Sequence, residues 1–166
     1  AYYSAAGEKT GYKIMVSKSK TQTQKFAIRL AKKFLKAKSY QLKAKVVALH
    51  GDLGAGKTTF VQGLMKALGV KHRVTSPTFL IIRKYEISTP LRRGLVHYHH
   101  AYHLDLYRIH KPKELLDLGF KKILRDPKNI VLIEWPERIR KILPKNTIWI
   151  VIEHGRRENE RIITIK

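Results

Sequence analysis

The stretch that most restricts what this 166-residue chain can fold into is GDLGAGKTTF, Gly51 to Phe60. It follows the apolar run KVVALH and leads into TTFVQGLMKALG. Gly51, Gly56, Lys57 and Thr58 satisfy G-x-x-x-x-G-K-[ST], and such a glycine bend lets backbone N–H groups close around phosphate oxygens at the positive end of a helix. The β-branched run before it predicts a strand buried on both faces, and the spacing after it predicts a helix that stops at Gly69. In that setting Lys57 reaches the β- and γ-phosphates, the Thr58 hydroxyl faces Mg²⁺, and Thr59 lies toward the α-phosphate.

The rest of the chain supplies alternating strands and helices, which predicts an α/β sandwich with a mixed sheet. YKIMV reads as an edge strand. SKSKTQTQKFAIRLAKKFLKAKS puts Phe26, Ala27, Leu30, Ala31, Phe34 and Leu35 on one helical stripe, with Ser19 or Thr21 as N-cap. FLIIRKYEI and LVHYHHAYHLDLYRI read as a strand pair, with KPKELLDLGFKKILRD as short helices after it. NIVLIEW reads as a core strand, PERIRKIL as a helix with proline in its first turn, and TIWIVIEH with RIITIK as a closing pair. Residues 1–12 read as a loose extension and 13–166 as a single domain.

Cysteine is absent and no apolar run approaches a membrane span; the reading is a soluble, cytoplasmic protein. Lys and Arg number 35 against 12 Asp and Glu, a formal charge of +23, so the surface favours polyanions such as nucleic acid. Between Lys9 and Gly51 there are twelve Lys or Arg and no acid. That segment is either a nucleic-acid face or a solvated lysine-rich helix.

A phosphate loop needs a carboxylate at the end of a neighbouring core strand to complete a Mg²⁺ site. Glu134 closes NIVLIEW and is the candidate; the alternative is a strand-end acid facing water or Arg138. Asp105 in HLDLYR is either a group that orients water or Mg²⁺, or a structural partner of Arg108. Strand alternation sends His97, His99 and His103 to one face and His100 to the other, which disfavours a shared zinc. Trp135, Tyr98, Tyr102 and Tyr107 read as packing residues by default.

Taken together, GDLGAGKTT, VTSPTF, HLDLYR, ELLDLGF, LIEWPE and LP resemble, in this order, the TsaE family, the small P-loop ATPase of the bacterial machinery that makes threonylcarbamoyladenosine in tRNA. The resemblance spans Ser17 to Lys166. It implies a three-layer α/β P-loop NTPase fold, with a mixed parallel and antiparallel sheet flanked by helices. It also implies slow ATP hydrolysis that supports a TsaB–TsaD pair. By position it implies that Gly54, Ala55, Gly56, Lys57, Thr58 and Thr59 hold the phosphates and that Thr58 and Glu134 ligate Mg²⁺. Asp105 becomes a catalytic-site acid, and Ser76, Pro77 and Thr78 a switch-like loop beside the γ-phosphate. Trp135 and Glu137 match its EW.E segment, Thr23 falls near the adenine, and Arg157 or Arg161 closes over the nucleotide. Two rival readings stand beside it. One is a nucleoside or small-molecule kinase with LRRG as its lid; the other is a basic nucleic-acid-binding module with a regulatory nucleotide site.

Overall fold

A computed structural model describes residues 12–38, 43–88 and 95–166. Most of the N-terminal extension and the LRRG segment, 91–94, lie outside these. Seven strands form one sheet in the order β1-β7-β6-β2-β5-β4-β3. They are β1 (Lys13–Ser17), β2 (Lys45–His50), β3 (Ile82–Glu86), β4 (His100–Asp105), β5 (Asn129–Glu134), β6 (Ile148–His154) and β7 (Arg161–Ile165). The four central strands, β6, β2, β5 and β4, run parallel, while β3, β7 and β1 pair antiparallel at the two edges.

Central position explains the composition of the inner strands. All six residues of β5 are buried, as are Val46 to Leu49 of β2, because both faces of a parallel core strand are covered by helices. On one face lie α1 (Lys20–Leu35) and α2 (Lys57–Ala67), over a core that includes Val47, Leu49, Phe60, Leu64 and Ile130. On the other lie α3 (Pro112–Asp117), α4 (Phe120–Arg125) and a 3-10 helix (Glu137–Ile142), over Val46, Leu104, Phe120, Val131 and Ile133. The result is the three-layer α/β arrangement with a mixed sheet. Among the described residues no helix is long and apolar enough to cross a membrane.

Helix α1 starts at Ser19, whose hydroxyl accepts from the Gln22 N–H at 3.2 Å, satisfying one of the unpaired amides of the first turn. Its buried stripe includes Ala27, Ala31 and Phe34, and it crosses α2 closely: a Cβ on Gly63 would lie 2.6 Å from the Gln24 carbonyl oxygen and 2.8 Å from Ala27 Cβ. Glycine is what allows that approach.

Three predicted elements differ in detail. Strand β3 begins at Ile82 rather than Phe79, because the Pro77 carbonyl accepts the N–H groups of both Leu80 and Ile81. That turn leaves Phe79 and Leu80 exposed. Strand β4 begins only at His100, so alternation applies to His100 and His103 but not to His97 and His99, which precede the strand. The segment after Trp135 is a 3-10 helix capped by Pro136, with proline just outside the first turn.

Candidate nucleotide site

Strand β2 delivers the glycine loop to the C-terminal edge of the parallel strands. At its start, a Cβ on Gly51 would lie 2.2 Å from the carbonyl oxygen of Ile152, so β6 can run against the loop only if residue 51 has no side chain. Gly54 and Gly56 have φ of +74° and +103°, the left-handed conformation that curls amides inward, and Gly56 leads directly into α2. From β7, Arg161 holds the outside of the bend. Its Nε donates to Ala55 O at 3.0 Å and its Nη2 to Gly54 O at 3.3 Å.

Lys57 crosses its own loop, with Nζ donating to Gly51 O at 2.6 Å and Asp52 O at 2.9 Å. The ammonium also sits 3.7 Å from the centre of the Trp135 ring, a cation–π arrangement. Burial pushes the Lys57 amine below the ordinary lysine value, and the carboxylates of Glu134, Glu137, Asp105 and Asp52 pull it back up.

Glu134, at the end of β5, is only 3 % exposed. Both of its oxygens accept from the Thr58 hydroxyl, at 2.9 and 3.0 Å, and Oε1 lies 2.8 Å from His103 Nε2. It faces neither water nor Arg138, which instead donates to Ile109 O. A hydroxyl and a carboxylate placed together beside a phosphate loop are an all-oxygen donor set, the type that suits a hard dication such as Mg²⁺.

Asp105 ends the neighbouring β4, paired in register with Glu134. Its Oδ2 accepts from the hydroxyls of Ser76 and Thr78, the latter at 2.6 Å, and its Oδ1 accepts from the Tyr107 N–H at 3.0 Å. The Arg108 alternative is not realised: that guanidinium lies 4.4 Å from the Phe79 ring centre. Asp105 therefore ties the Ser76–Thr78 loop to the sheet edge.

A cavity of about 120 Å³ opens beside the loop, lined in part by Thr23, Gly54, Gly56, Thr59 and Arg161. Thr23 is held there by a 2.8 Å hydroxyl contact with Ser17. Arg157 lines a separate recess with Lys18 and Glu160, so of the two candidate arginines it is Arg161 that touches the loop. Trp135 has φ of +60° and packs its ring 5.2 Å from that of Tyr107. Glu137 pairs with His50.

His103 is the participant that sequence reasoning weighed only as a zinc ligand and assigned no place in the nucleotide site. It is fully buried, and its Nδ1 has no partner among the described residues. Its position two residues before Asp105, hence on the same strand face, is the signal that could have found it.

The family described as "Threonylcarbamoyl adenosine biosynthesis protein TsaE" matches residues 17–163. The tRNA threonylcarbamoyladenosine biosynthesis protein TsaE of Haemophilus influenzae is 36% identical over 129 residues, 76% of this chain and 75% of that one. The protein of the same name from Bacillus subtilis is 39% identical over 120 residues, 72% of this chain and 67% of that one. The crystal structure of Bacillus subtilis YdiB superposes with a TM-score of 0.66 at 26% identity, covering 96% of this chain and 87% of that one. With a family match across most of its length and relatives of this similarity, the chain belongs to the TsaE family.

Proposed function

We propose that this chain is a Mg²⁺-dependent ATPase that supports threonylcarbamoyladenosine formation in tRNA, working with TsaB- and TsaD-type subunits. The observation that carries the reading is the pairing of Thr58 with both oxygens of the buried Glu134 beside the phosphate loop. Thr58 and Glu134 would hold Mg²⁺, whose bound charge neutralises phosphate oxygens.

The remaining work falls to this chain's own groups. The amides of Gly54 to Thr59 donate to phosphate oxygens, and Lys57 exchanges its two carbonyl partners for the β- and γ-phosphates. Thr23 and Thr59 lie on the cavity that would take the rest of the nucleotide. Asp105 holds Ser76 and Thr78 by their hydroxyls, and this loop positions the attacking water. The water oxygen bonds to the γ-phosphorus as the bond to the β–γ bridging oxygen breaks, and the water's proton passes to an oxygen of the released phosphate, giving ADP and phosphate. Loss of the γ-phosphate then frees the loop and alters partner affinity.

Phosphate release from ATP, measured with and without purified TsaB and TsaD, tests the reading. Stimulation by the pair supports it, and inertness under both conditions refutes it. Phosphate transfer to an added nucleoside instead of water would move the assignment to a kinase.

A further inference from the structure

The carboxylates of the candidate nucleotide site and a cluster of unpaired cations lie at opposite ends of this sheet. Asp52, Asp105, Glu134 and Glu137 gather at the C-terminal ends of the parallel strands, close enough to act on the Lys57 ammonium. At the other end of the same strands a cavity of about 250 Å³ is rimmed by Lys43, Lys121 and Arg125 over a floor that includes Leu124, Ile142 and Leu143.

Local structure holds these cations together. The Ala44 N–H donates to Leu124 O at 3.0 Å, which fixes Lys43, just before β2, against the end of α4, a helix on which Lys121 and Arg125 lie one turn apart. No carboxylate lines the cavity, and none of the three cations forms an ion pair among the described residues. The adjoining acid, Asp126, accepts the Lys128 N–H at 2.9 Å. Lys141 and Lys145, next to floor residues in the chain, are exposed. Like charges gathered without counter-charges repel one another, and a polyanion laid across them relieves that cost.

We propose that this end of the sheet, remote from the nucleotide site, binds the phosphodiester backbone of a folded RNA. Separated cations around a recess with an apolar floor match repeated phosphates with sugar and base surface between them. A lipid surface fits less well, because interfacial binding requires inserted apolar side chains. The large exposed ones, such as Ile14, Leu53, Phe79 and Leu80, lie outside this cavity. The choice of RNA among polyanions rests on the tRNA-modification reading above; the location rests on the charge arrangement alone.

The test is fluorescence anisotropy with an unmodified tRNA transcript over a range of KCl concentrations. It compares the wild-type chain with a Lys43→Gln, Lys121→Gln, Arg125→Gln variant. A control variant, Lys25→Gln, Arg29→Gln, Lys32→Gln, removes the same charge from the exposed face of α1. Each phosphate contact adds roughly 0.7–0.9 to the log–log salt slope, so the first variant should lose about two to three from that slope and at least about tenfold in affinity. The control should lose less than about one from it. Equal losses in both variants, no transcript binding by the wild type, or preference for anionic vesicles or polyglutamate would overturn the proposal. ATP binding, measured on all three proteins, reports folding; its absence from the wild type would count against the nucleotide reading and not against this one.

Discussion

Two glycines of the phosphate loop should fail differently when given a side chain. At Gly51 the new Cβ would sit 2.2 Å from Ile152 O, a backbone atom of the adjacent strand. Restoring an ordinary contact of about 3.5 Å requires the loop and β6 to separate by roughly 1 Å. Overpacking of this kind costs about 1–3 kcal/mol, and the positive φ of residue 51 adds a similar strain of order 1–3 kcal/mol. Gly54, in contrast, has open space at its Cβ position and pays only the left-handed backbone cost of about 1–2 kcal/mol. With about 2–4 °C lost per kcal/mol at this chain length, Gly51→Ala should lower Tm by roughly 4–24 °C and Gly54→Ala by about 2–8 °C. Thermal unfolding by circular dichroism, with ATP affinity measured alongside, provides the comparison. A Gly51→Ala protein as stable as Gly54→Ala would refute the claim that β6 sets the start of the loop.

Other perturbations separate stability from chemistry. Glu134→Gln keeps an oxygen acceptor for Thr58 and His103, so Tm should move by no more than the equivalent of about 1 kcal/mol, while Mg²⁺-dependent phosphate release falls at least about tenfold; unchanged turnover would reject the metal assignment. Gly63→Ala gains about 1 kcal/mol of helix propensity but crowds Gln24 and Ala27 at a cost of about 1–3 kcal/mol. A net loss of Tm is expected, and a rise would show that α1 and α2 have room to spare. The Lys57 amine, lowered by burial, should titrate below the surface lysines in competitive acetylation and move up when a triphosphate is added. The sign follows from linkage: a lysine lowered in the native state carries fewer protons there than when unfolded. Its contribution to stability therefore grows as pH rises from the lowered value toward the ordinary one of 10.5. A Lys57 that titrates with the surface lysines and ignores nucleotide would contradict the burial argument.

What could be read in the chain beforehand was whatever depends on neighbours in sequence. The glycine bend, the strand before it and the helix after it are local, and so is the Ser19 cap, where a hydroxyl need only reach three residues ahead. Glu134 was legible because an acid at the end of an apolar strand has few inexpensive environments. The rest depends on what lies across the fold. Alternation could put His103 on the Asp105 face but not reveal that Glu134 of the next strand waits 2.8 Å away. Arg157 and Arg161 are four residues apart, and only the β6–β7 geometry brings the second one to Ala55. Phe79 looked like strand because its neighbours are apolar; the Pro77 carbonyl, taking two N–H groups at once, decided otherwise.

The guanidinium of Arg161 makes the terminal ribbon a buttress. It is the rivet between β7 and the bend at Gly54 and Ala55, so a displacement of β7 would be felt directly at the phosphate cradle. Any protein that grasped that ribbon would have a mechanical handle on how tightly the cradle closes.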